Sequence, residues 1–557
     1  MRKRLGCTYL KCYICGNKQW NMAFLRVENK KSGTYLRIVE SYKENGKPKH
    51  RTLHSLGKVE DYPPSQLESI AKKLLECAGL YMKDIVADSF EEVARVNYGY
   101  ALIIKAIWKL FDMNHFVAKV NVRSKVKFDW MQAFQIMIAE RINDPVSKRQ
   151  TFFNQDEYIG FGDEEIDLQH FYRTMDLLST HQELLKEHLF TQQQNLFSQT
   201  LDVVFYDVTT LYFDSQKEDE NSIRQKGYSK DGKAHKTQVV LGLLVDKMRN
   251  PLTYNIYRGN TYEGGTMIDA LKDIKQKYNV DNVIAVADSA MIDKDNREYM
   301  QESEIDYILG DRLKNLPAKI QEELLNKKNY TQLNTPTNKD EFSFIALPYQ
   351  DRTIICTYSD KRARKDKAER DKLITKAEMW LAEPSKYKQV KKRGAGRFIS
   401  TDQDGSPIKL NIEKIEQDAK YDGFKAVSTT TKLEPQEVIS KYADLFEVEH
   451  AFRTLKSQLK VRPVYHWNNQ RIEGHIAMCF VAYTFLNYLR NNSGLQYRTI
   501  VKSLDRMQMS VIKEDKSDAL VYMRANLREP ELNLCGKLKV AIPKTTTSQK
   551  AICQLLN

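Results

Sequence analysis

The spacing of apolar residues divides this chain into regions of different structure. From about 34 to 56, apolar and polar residues alternate on either side of Asn45 and Gly46. This pattern predicts a β-hairpin, because Asn-Gly favours the tight turn between antiparallel strands. Between about 66 and 199 the apolar period becomes helical, with breaks at 143–145 and 160–162. This second region is therefore predicted to be mainly helical.

Strand-like apolar runs begin at Leu201. Three of them, at 201–213, 238–245 and 252–257, are joined by short connections and are expected to pair as an antiparallel meander. A helix, a buried strand, a helix and a further strand are then predicted at 266–278, 283–287, 295–302 and 307–310. This is the element order of a ribonuclease-H-like core, so the sequence predicts an α/β fold.

A stretch that looks inserted interrupts this core. It contains strand-like pieces at 342–347 and 352–358 and a charged helix near 360–381, and the core pattern resumes with an apolar strand at 421–428. Within it, the segment 386–397 carries six basic residues and no acid, including Lys391, Lys392 and Arg393. Such a run is usually a solvated loop, but these three residues are also candidates for contact with DNA phosphates.

These patterns predict seven segments. They are an N-terminal leader without predicted structure (1–33), a β-hairpin (34–62), a helical DNA-binding region (63–199), the first part of the ribonuclease-H-like core (200–312), an inserted β-rich subdomain (313–420), the second part of the core (421–495) and a C-terminal helical tail (496–557). In the leader, Cys12 and Cys15 follow Cys7 with the spacing of a zinc knuckle. No second cysteine pair follows nearby, so zinc binding and an unstructured leader both stay open.

The overall charge favours a polyanionic partner. The 557 residues include 87 lysines and arginines against 73 aspartates and glutamates, which gives a formal net charge of +14. The longest apolar run, at 476–489, is too short to cross a bilayer about 30 Å thick. The eight cysteines are mostly scattered and no export signal is evident, so we expect a cytoplasmic protein without a membrane association.

Three acids are candidates for a metal site. Asp207 lies within a predicted strand, Asp288 at the end of another, and Glu449 on a later predicted helix. Each has an ordinary explanation: a strand aspartate with a polar partner, a helix cap, and an ion pair with Arg453 four residues on. Their joint placement instead predicts three carboxylates that converge on Mg²⁺ or Mn²⁺, two ions of which can assist displacement at phosphorus.

The segment 442–456 is predicted to be one helix with two faces. Taken at a helical period, Tyr442, Glu449, Arg453 and Lys456 share one edge. A separate apolar stripe is formed by Leu445, Val448, Phe452, Leu455 and Leu459. The acid could therefore hold metal while the neighbouring cations reach phosphates, which indicates chemistry on nucleic acid.

These residues resemble the DDE transposases of bacterial insertion sequences, in the branch with the signature Tyr-x2-Arg-x3-Glu-x6-Lys. Tyr442, Glu449 and Lys456 match the signature, and Leu445 replaces its arginine. Arg453, one turn after the glutamate, is a candidate substitute for that arginine. The surroundings of the two aspartates also resemble the strand ends that carry the first two acids of this family.

The resemblance implies a site and an activity. Asp207, Asp288 and Glu449 would hold two Mg²⁺ or Mn²⁺ ions, Lys456 would act with them by contacting a terminal phosphate, and Tyr442 would support the adjacent DNA strand. The protein would cut the terminal inverted repeats of its own element and join the freed ends to target DNA, as a homodimer on paired ends. A metal-dependent nuclease or resolvase on the same fold, and a catalytically silent DNA-binding derivative, are the alternatives.

Overall fold

The computed structural model describes residues 23–44, 47–77, 90–162, 164–197, 202–228, 235–277, 280, 283–333, 342–383, 393–401, 407–514 and 520–556. The chain divides into two compact units. The first comprises Met1–Glu91 and Lys513–Ala519, and the second comprises Glu92–Ile512 and Leu520–Asn557.

The first unit contains a three-stranded antiparallel sheet followed by a helix. Its elements are β1 (Ala23–Lys30), β2 (Gly33–Glu44), β3 (Lys47–Lys58) and α1 (Pro64–Cys77). Strands β2 and β3 form the predicted hairpin, whose turn at Asn45 and Gly46 lies outside the described residues. The expectation of an unstructured leader is wrong from Ala23 onward, because β1 pairs along its whole length with β2. Cys7, Cys12 and Cys15 lie outside the described residues.

The second unit begins with a strand and a group of helices. These are β4 (Phe90–Asn97), α2 (Gly99–Leu110), α3 (Met113–Arg123), α4 (Trp130–Asn143), α5 (Lys148–Asn154), α6 (Leu168–Thr180) and α7 (Gln182–Phe197). The apolar period predicted this helical character, and it missed β4. Buried side chains of α2, α4 and α6 belong to the same hydrophobic core as one face of the central sheet.

The central sheet and its connections follow. They are β5 (Val203–Tyr212), β6 (Gln238–Val245), β7 (Pro251–Arg258), α8 (Met267–Lys272), β8 (Ile284–Ala287), α9 (Lys294–Glu302), β9 (Asp306–Asp311), α10 (Ala318–Leu325), β10 (Thr331–Leu333), β11 (Phe342–Tyr349), β12 (Arg352–Tyr358), α11 (Asp360–Ala382), β13 (Ile399–Thr401), β14 (Pro407–Leu410), α12 (Ile412–Ala419) and β15 (Phe424–Thr429). Nine strands form one mixed sheet in the order β10-β11-β12-β15-β9-β8-β5-β6-β7. Strands β5, β6 and β7 are antiparallel neighbours, whereas β5, β8 and β9 run parallel.

The predicted inserted subdomain is not separate from this sheet. Strand β12 pairs with β15, and β15 pairs with β9, so β10, β11 and β12 extend the central sheet at one edge. The remainder of the insertion has a small core of its own, which α11 shares with the β13 region. The insertion therefore widens the sheet, because β12 pairs with the edge of β15 that β9 does not occupy.

The last part of the chain combines helices with three further strands. Its elements are α13 (Pro435–Ala443), α14 (Phe446–Ser457), α15 (Asn469–Ser493), α16 (Tyr497–Arg506), β16 (Gln508–Glu514), β17 (Leu520–Arg524), α17 (Glu529–Leu538), β18 (Thr546–Ser548) and α18 (Gln549–Leu556). The prediction of a purely helical C-terminal tail is wrong, because β16, β17 and β18 form a sheet with β4. Neither α15 nor any other described helix combines the length and apolar character needed to span a membrane.

The central sheet is covered on both faces. Helices α14 and α15 contribute buried residues to the core on one face, and α8 and α9 contribute to the core on the other. Side chains on a strand alternate between the two faces, so the core that a residue joins reveals the direction of its neighbours. This alternation places the candidate acids.

Candidate active site

Asp207 and Asp288 lie side by side on neighbouring parallel strands. Tyr206 of β5 stands opposite Ala287, the last residue of β8. The residue after each is an aspartate, so the same register brings Asp207 and Asp288 to adjacent positions. Two acids that are far apart in the sequence are therefore neighbours at one level of the sheet.

The same two acids face one side of the sheet. Phe205 and Val286 belong to the core that contains α14 and α15, whereas Tyr206 and Ala287 belong to the opposite core. Alternation then directs Asp207 and the position of Asp288 toward the α14 side.

Local hydrogen bonds orient both aspartates. The Val208 N–H donates to Oδ1 of Asp207 at 2.7 Å, and the Ala290 N–H donates to Oδ1 of Asp288 at 2.8 Å. Both side chains are half-buried. Asp288 does not cap the following helix, because Asp293 accepts from the Asn296 N–H at the start of α9. The helix-cap explanation for Asp288 is thus excluded.

The prediction of a single helix from 442 to 456 is wrong. Helix α13 ends at Ala443 and α14 begins at Phe446, so Tyr442 lies on one helix and Glu449 on the next. The two helices pack over different strands: α13 lies against β8, β9 and β15, and α14 lies against β5 and β6. The chain turns at Asp444 and Leu445, between the two helices.

Tyr442 lies near enough to both Asp288 and Glu449 for their charges to affect its pKa. Burial raises the pKa of Tyr442 to about 12, and the negative charges of Asp288 and Glu449 add to this increase while Arg362 opposes it. The Nζ atom of Lys425 lies 4.4 Å from the centre of the Tyr442 ring. Partial desolvation lowers the pKa of Lys425, with a further decrease from Arg362 and an opposing effect of Glu449. Two acids and two cations therefore surround one neutral tyrosine.

Gly310 permits this close packing and was not identified from the sequence. A Cβ atom at Gly310 would lie 2.4 Å from Oη of Tyr442 and 2.9 Å from the backbone nitrogen of Ser289. Both distances are shorter than any tolerable contact. The available signal was a glycine inside an apolar strand, which often marks a close approach by another group.

Glu449 differs from the acid two residues before it. Glu447 forms an ion pair with Arg249 at the β6–β7 connection. Glu449 is exposed and makes no hydrogen bond or ion pair with any described residue, so the predicted alternative of a pair with Arg453 is not seen. The side chain of Glu449 is consequently available to rotate toward a ligand.

The donor chemistry of the three acids suits a hard divalent cation, since carboxylate oxygens are preferred ligands of Mg²⁺ and Mn²⁺. Within the described part of the chain, however, no group of three or more His, Cys, Asp or Glu side chains is gathered closely enough to hold a metal. Asp207 and Asp288 are adjacent on the sheet, and Glu449 lies on α14, the helix that packs against β5.

The predicted cationic residues are placed only in part. Arg453 is exposed on α14, and Lys456 is half-buried with its Nζ atom 5.8 Å from the centre of the Phe452 ring. Arg393 is exposed, whereas Lys391 and Lys392 lie outside the described residues.

A basic pocket beside the acids was not predicted. It has a volume of about 430 Å³ and is lined by Ser289, Gly310 and Tyr442. Its cationic lining residues are Arg312, Lys314, Arg362 and Lys425. Lys314 pairs with Asp418 at 2.6 Å and Arg362 pairs with Asp366 at 3.5 Å, so Arg312 and Lys425 supply the freer positive charge. Positive charge next to paired acids suits an anionic substrate that approaches a metal.

Comparisons with known proteins gave two family matches. A family model described as the transposase DDE domain matches residues 198–485, and a model of the IS1634 family transposase N-terminal domain matches residues 25–79. No curated protein matches the chain. Among solved structures, the Mos1 transposase paired-end complex with left transposon end is 10% identical with a TM-score of 0.14, and the match covers 33% of this chain and 60% of that chain. The first family model spans more than half of the 557 residues and includes all three candidate acids.

Proposed function

Because this chain belongs to the DDE transposase family, we propose that it cuts the ends of its insertion sequence and joins them to target DNA by metal-dependent phosphoryl transfer. The family predicted from the sequence is thereby confirmed. The observation that carries the site assignment is the adjacency of Asp207 and Asp288 on one sheet face, with Glu449 close enough to influence the same tyrosine as Asp288.

The sheet supports a ribonuclease-H-like core. Strands β7, β6, β5, β8 and β9 are neighbours in that order, with an antiparallel meander followed by two parallel strands. In this arrangement the first and fourth strands of the core lie side by side, and each supplies one aspartate. A helix crossing the same face then supplies the glutamate.

We assign Asp207, Asp288 and Glu449 as the ligands of two Mg²⁺ or Mn²⁺ ions. When bound, such ions activate the attacking oxygen and stabilise the leaving oxygen of an in-line displacement at phosphorus. The backbone N–H groups of Val208 and Ala290 hold the two aspartates in place before any ion arrives. No protein nucleophile is required.

The surrounding residues bind and position DNA. Tyr442 is 8% exposed and lines the basic pocket with Ser289 and Gly310, where, by the family resemblance, it would support the adjacent DNA strand. Lys456 and Arg453 present positive charge on the helix that carries Glu449. A homodimer acting on paired ends, as proposed from the family resemblance, would place two such sites on the two ends of one element.

The test compares two glutamates on α14. Glu449→Gln should reduce Mg²⁺-dependent cleavage of an element-end fragment by about 10³-fold, because several kcal/mol of transition-state stabilisation by the metal are lost. DNA binding in EDTA should persist. Glu447→Gln is the matched control: it should lower stability by about 1–3 kcal/mol through loss of its partner Arg249 while cleavage persists.

The products distinguish the alternatives. A transposase joins the cleaved 3′ ends to a second DNA, whereas a nuclease on the same fold releases cut ends only, and a silent derivative binds without cutting. Cleavage by Glu449→Gln at the wild-type rate would remove Glu449 from the mechanism.

A further inference from the structure

A second basic cavity lies away from the three acids. It has a volume of about 380 Å³ and is enclosed by α4, α5, the segment after α14 and α15. Its cationic or titratable lining residues are Arg141, Lys148, Lys460, Arg462, His466 and His475. No aspartate or glutamate is among its lining residues.

Three of these residues are deeply buried. Arg141, Lys148 and His475 are 5%, 3% and 5% exposed. Lys148 makes no hydrogen bond or ion pair with any described residue. Nε of Arg141, a donor, is also buried without a hydrogen-bond partner in the described part of the chain. Buried charge is costly unless something pairs with it, so this cavity is built to receive an anion.

Hydrogen bonds to the backbone hold the Arg141 side chain in place at the cavity wall. The Nη1 atom of Arg141 donates to the carbonyl oxygens of Leu459 and Lys460 at 3.2 and 3.4 Å. These bonds fix one edge of the guanidinium, whereas its Nε atom has no partner. A planar guanidinium held in this way is suited to an oxyanion.

Nearby acids do not neutralise the cavity. Glu140 accepts hydrogen bonds from Tyr158 at 2.5 Å and Asn154 at 3.1 Å. Asp144 pairs with Lys460 at 3.1 Å at the surface. Burial, and next the charge of Arg141, lowers the pKa of Lys148 to about 7, against weaker opposing effects of Cys479 and Glu140. The lowered pKa of Lys148 agrees with a buried cation that has no neutralising anion beside it.

The cavity is connected to the strand that carries Asp207. Nη1 of Arg462 donates to the Thr210 carbonyl at 3.4 Å, and the Val464 N–H donates to the Tyr212 carbonyl at 3.1 Å. Thr210 and Tyr212 follow Asp207 on β5, at a rise of about 3.3 Å per residue. Thr210 and Tyr212 therefore lie roughly 10–16 Å from Asp207 along the strand. This distance corresponds to a few nucleotides at about 3.4 Å each.

We propose that this cavity binds one backbone phosphate of the DNA strand that runs to the acids. The identity of the ligand as DNA rests on the proposed function, whereas the preference for a phosphate oxyanion rests on the cavity itself. Lys148 supplies its deepest charge, and Arg141 and Arg462 complete the cationic wall.

The experiment uses Lys148→Met in the full chain, with Lys537→Met, an exposed lysine of α17, as the matched control. Thermal unfolding is measured with inorganic phosphate titrated at constant ionic strength. Binding to a duplex of arbitrary sequence is measured in EDTA over a series of salt concentrations. Phosphate should raise the melting temperature of the wild type and of Lys537→Met, and should have no effect on Lys148→Met.

Two further outcomes are expected of Lys148→Met. Without ligand it should melt a few degrees above the wild type, because a buried charge has been removed. The slope of log binding constant against log salt should become shallower by about 0.9, the value for one phosphate contact. A lower melting temperature would show that Lys148 serves the fold, and would overturn the proposal.

An unchanged salt slope would also overturn it, even if free phosphate still binds, because the cavity would then take a small anion instead of DNA. None of these measurements involves cleavage. Failure of the metal-site assignment would appear in the Glu449→Gln assay instead, so the two proposals can fail separately.

Discussion

Gly310 sets the distance between Tyr442 and the strand edge that carries the second acid. The tyrosine hydroxyl occupies the space that a Cβ atom would fill, and the Ser289 backbone closes the other side. The residue after Ala287 in the neighbouring strand is Asp288, so any displacement of Tyr442 changes the surroundings of that carboxylate. A residue with no side chain thus controls the geometry of one with a functional side chain.

We predict that Gly310→Ala lowers both stability and cleavage. The added methyl group should cost about 1–3 kcal/mol through overpacking. Tyr442→Phe in the same chain should recover part of the stability, because it removes the atom at 2.4 Å while leaving the Ser289 contact at 2.9 Å. Gly265→Ala is the control, since no atom lies within 4 Å of its Cβ position. Chemical denaturation of the three variants beside the wild type gives the comparison, and equal losses for Gly310→Ala and Gly265→Ala would contradict the steric argument.

At the scale of elements, the bend between α13 and α14 separates residues that a sequence motif lists together. Tyr442 belongs to the helix over β8 and β9, and Glu449 belongs to the helix over β5 and β6. Leu445 lies half-buried at the junction and packs against the core. A leucine at this position stabilises the junction by burial and supplies no positive charge where the signature that the sequence resembles has an arginine.

We predict that Arg453 takes the place of that arginine in contacting a DNA phosphate. Arg453→Gln should make the salt dependence of DNA binding shallower by about 0.9, because one phosphate contact is lost. Adding Leu445→Arg to Arg453→Gln should restore the slope. Arg498→Gln, which removes an exposed arginine of α16, is the control. If Arg453→Gln and Arg498→Gln have the same slope as the wild type, Arg453 is not a substitute for the missing arginine.

The sequence predicted those elements whose signal is local. Strands β5 to β9 are strongly apolar runs, and their order was sufficient to place Asp207 on the first strand and Asp288 at the end of the fourth, whereas the pairing of these two strands came from the structure. The sequence missed β4, because its partner β16 lies more than four hundred residues away and neither strand has a strong pattern of its own. The second basic cavity was missed for the same reason, since Arg141, Lys148, Arg462 and His475 come from separate segments that only tertiary packing brings together.

At the scale of the whole molecule, the helical region between α2 and α7 is part of the catalytic unit. Buried residues of these helices join the same core as α14, α15 and one face of the central sheet. Among the described residues, no member of the four hydrophobic clusters precedes Val96 in the chain. The first unit therefore contributes no side chain to these clusters. The C-terminal helix α18, by contrast, contributes Ile552 and Leu556, which are 1% and 4% exposed.

The location of the buried cluster residues predicts different effects on stability for an N-terminal and a C-terminal truncation. A chain that begins at Phe90 should retain one cooperative thermal transition near that of the full chain, although the deletion is large, because no cluster residue is removed. A chain that ends before Thr546 should lose about 2–5 kcal/mol for each of Ile552 and Leu556, although that deletion is small. Calorimetry of the two truncated chains beside the full chain tests the contrast. If the N-terminal deletion abolished the main transition while the C-terminal deletion left it intact, the cores would not be organised as the clusters indicate.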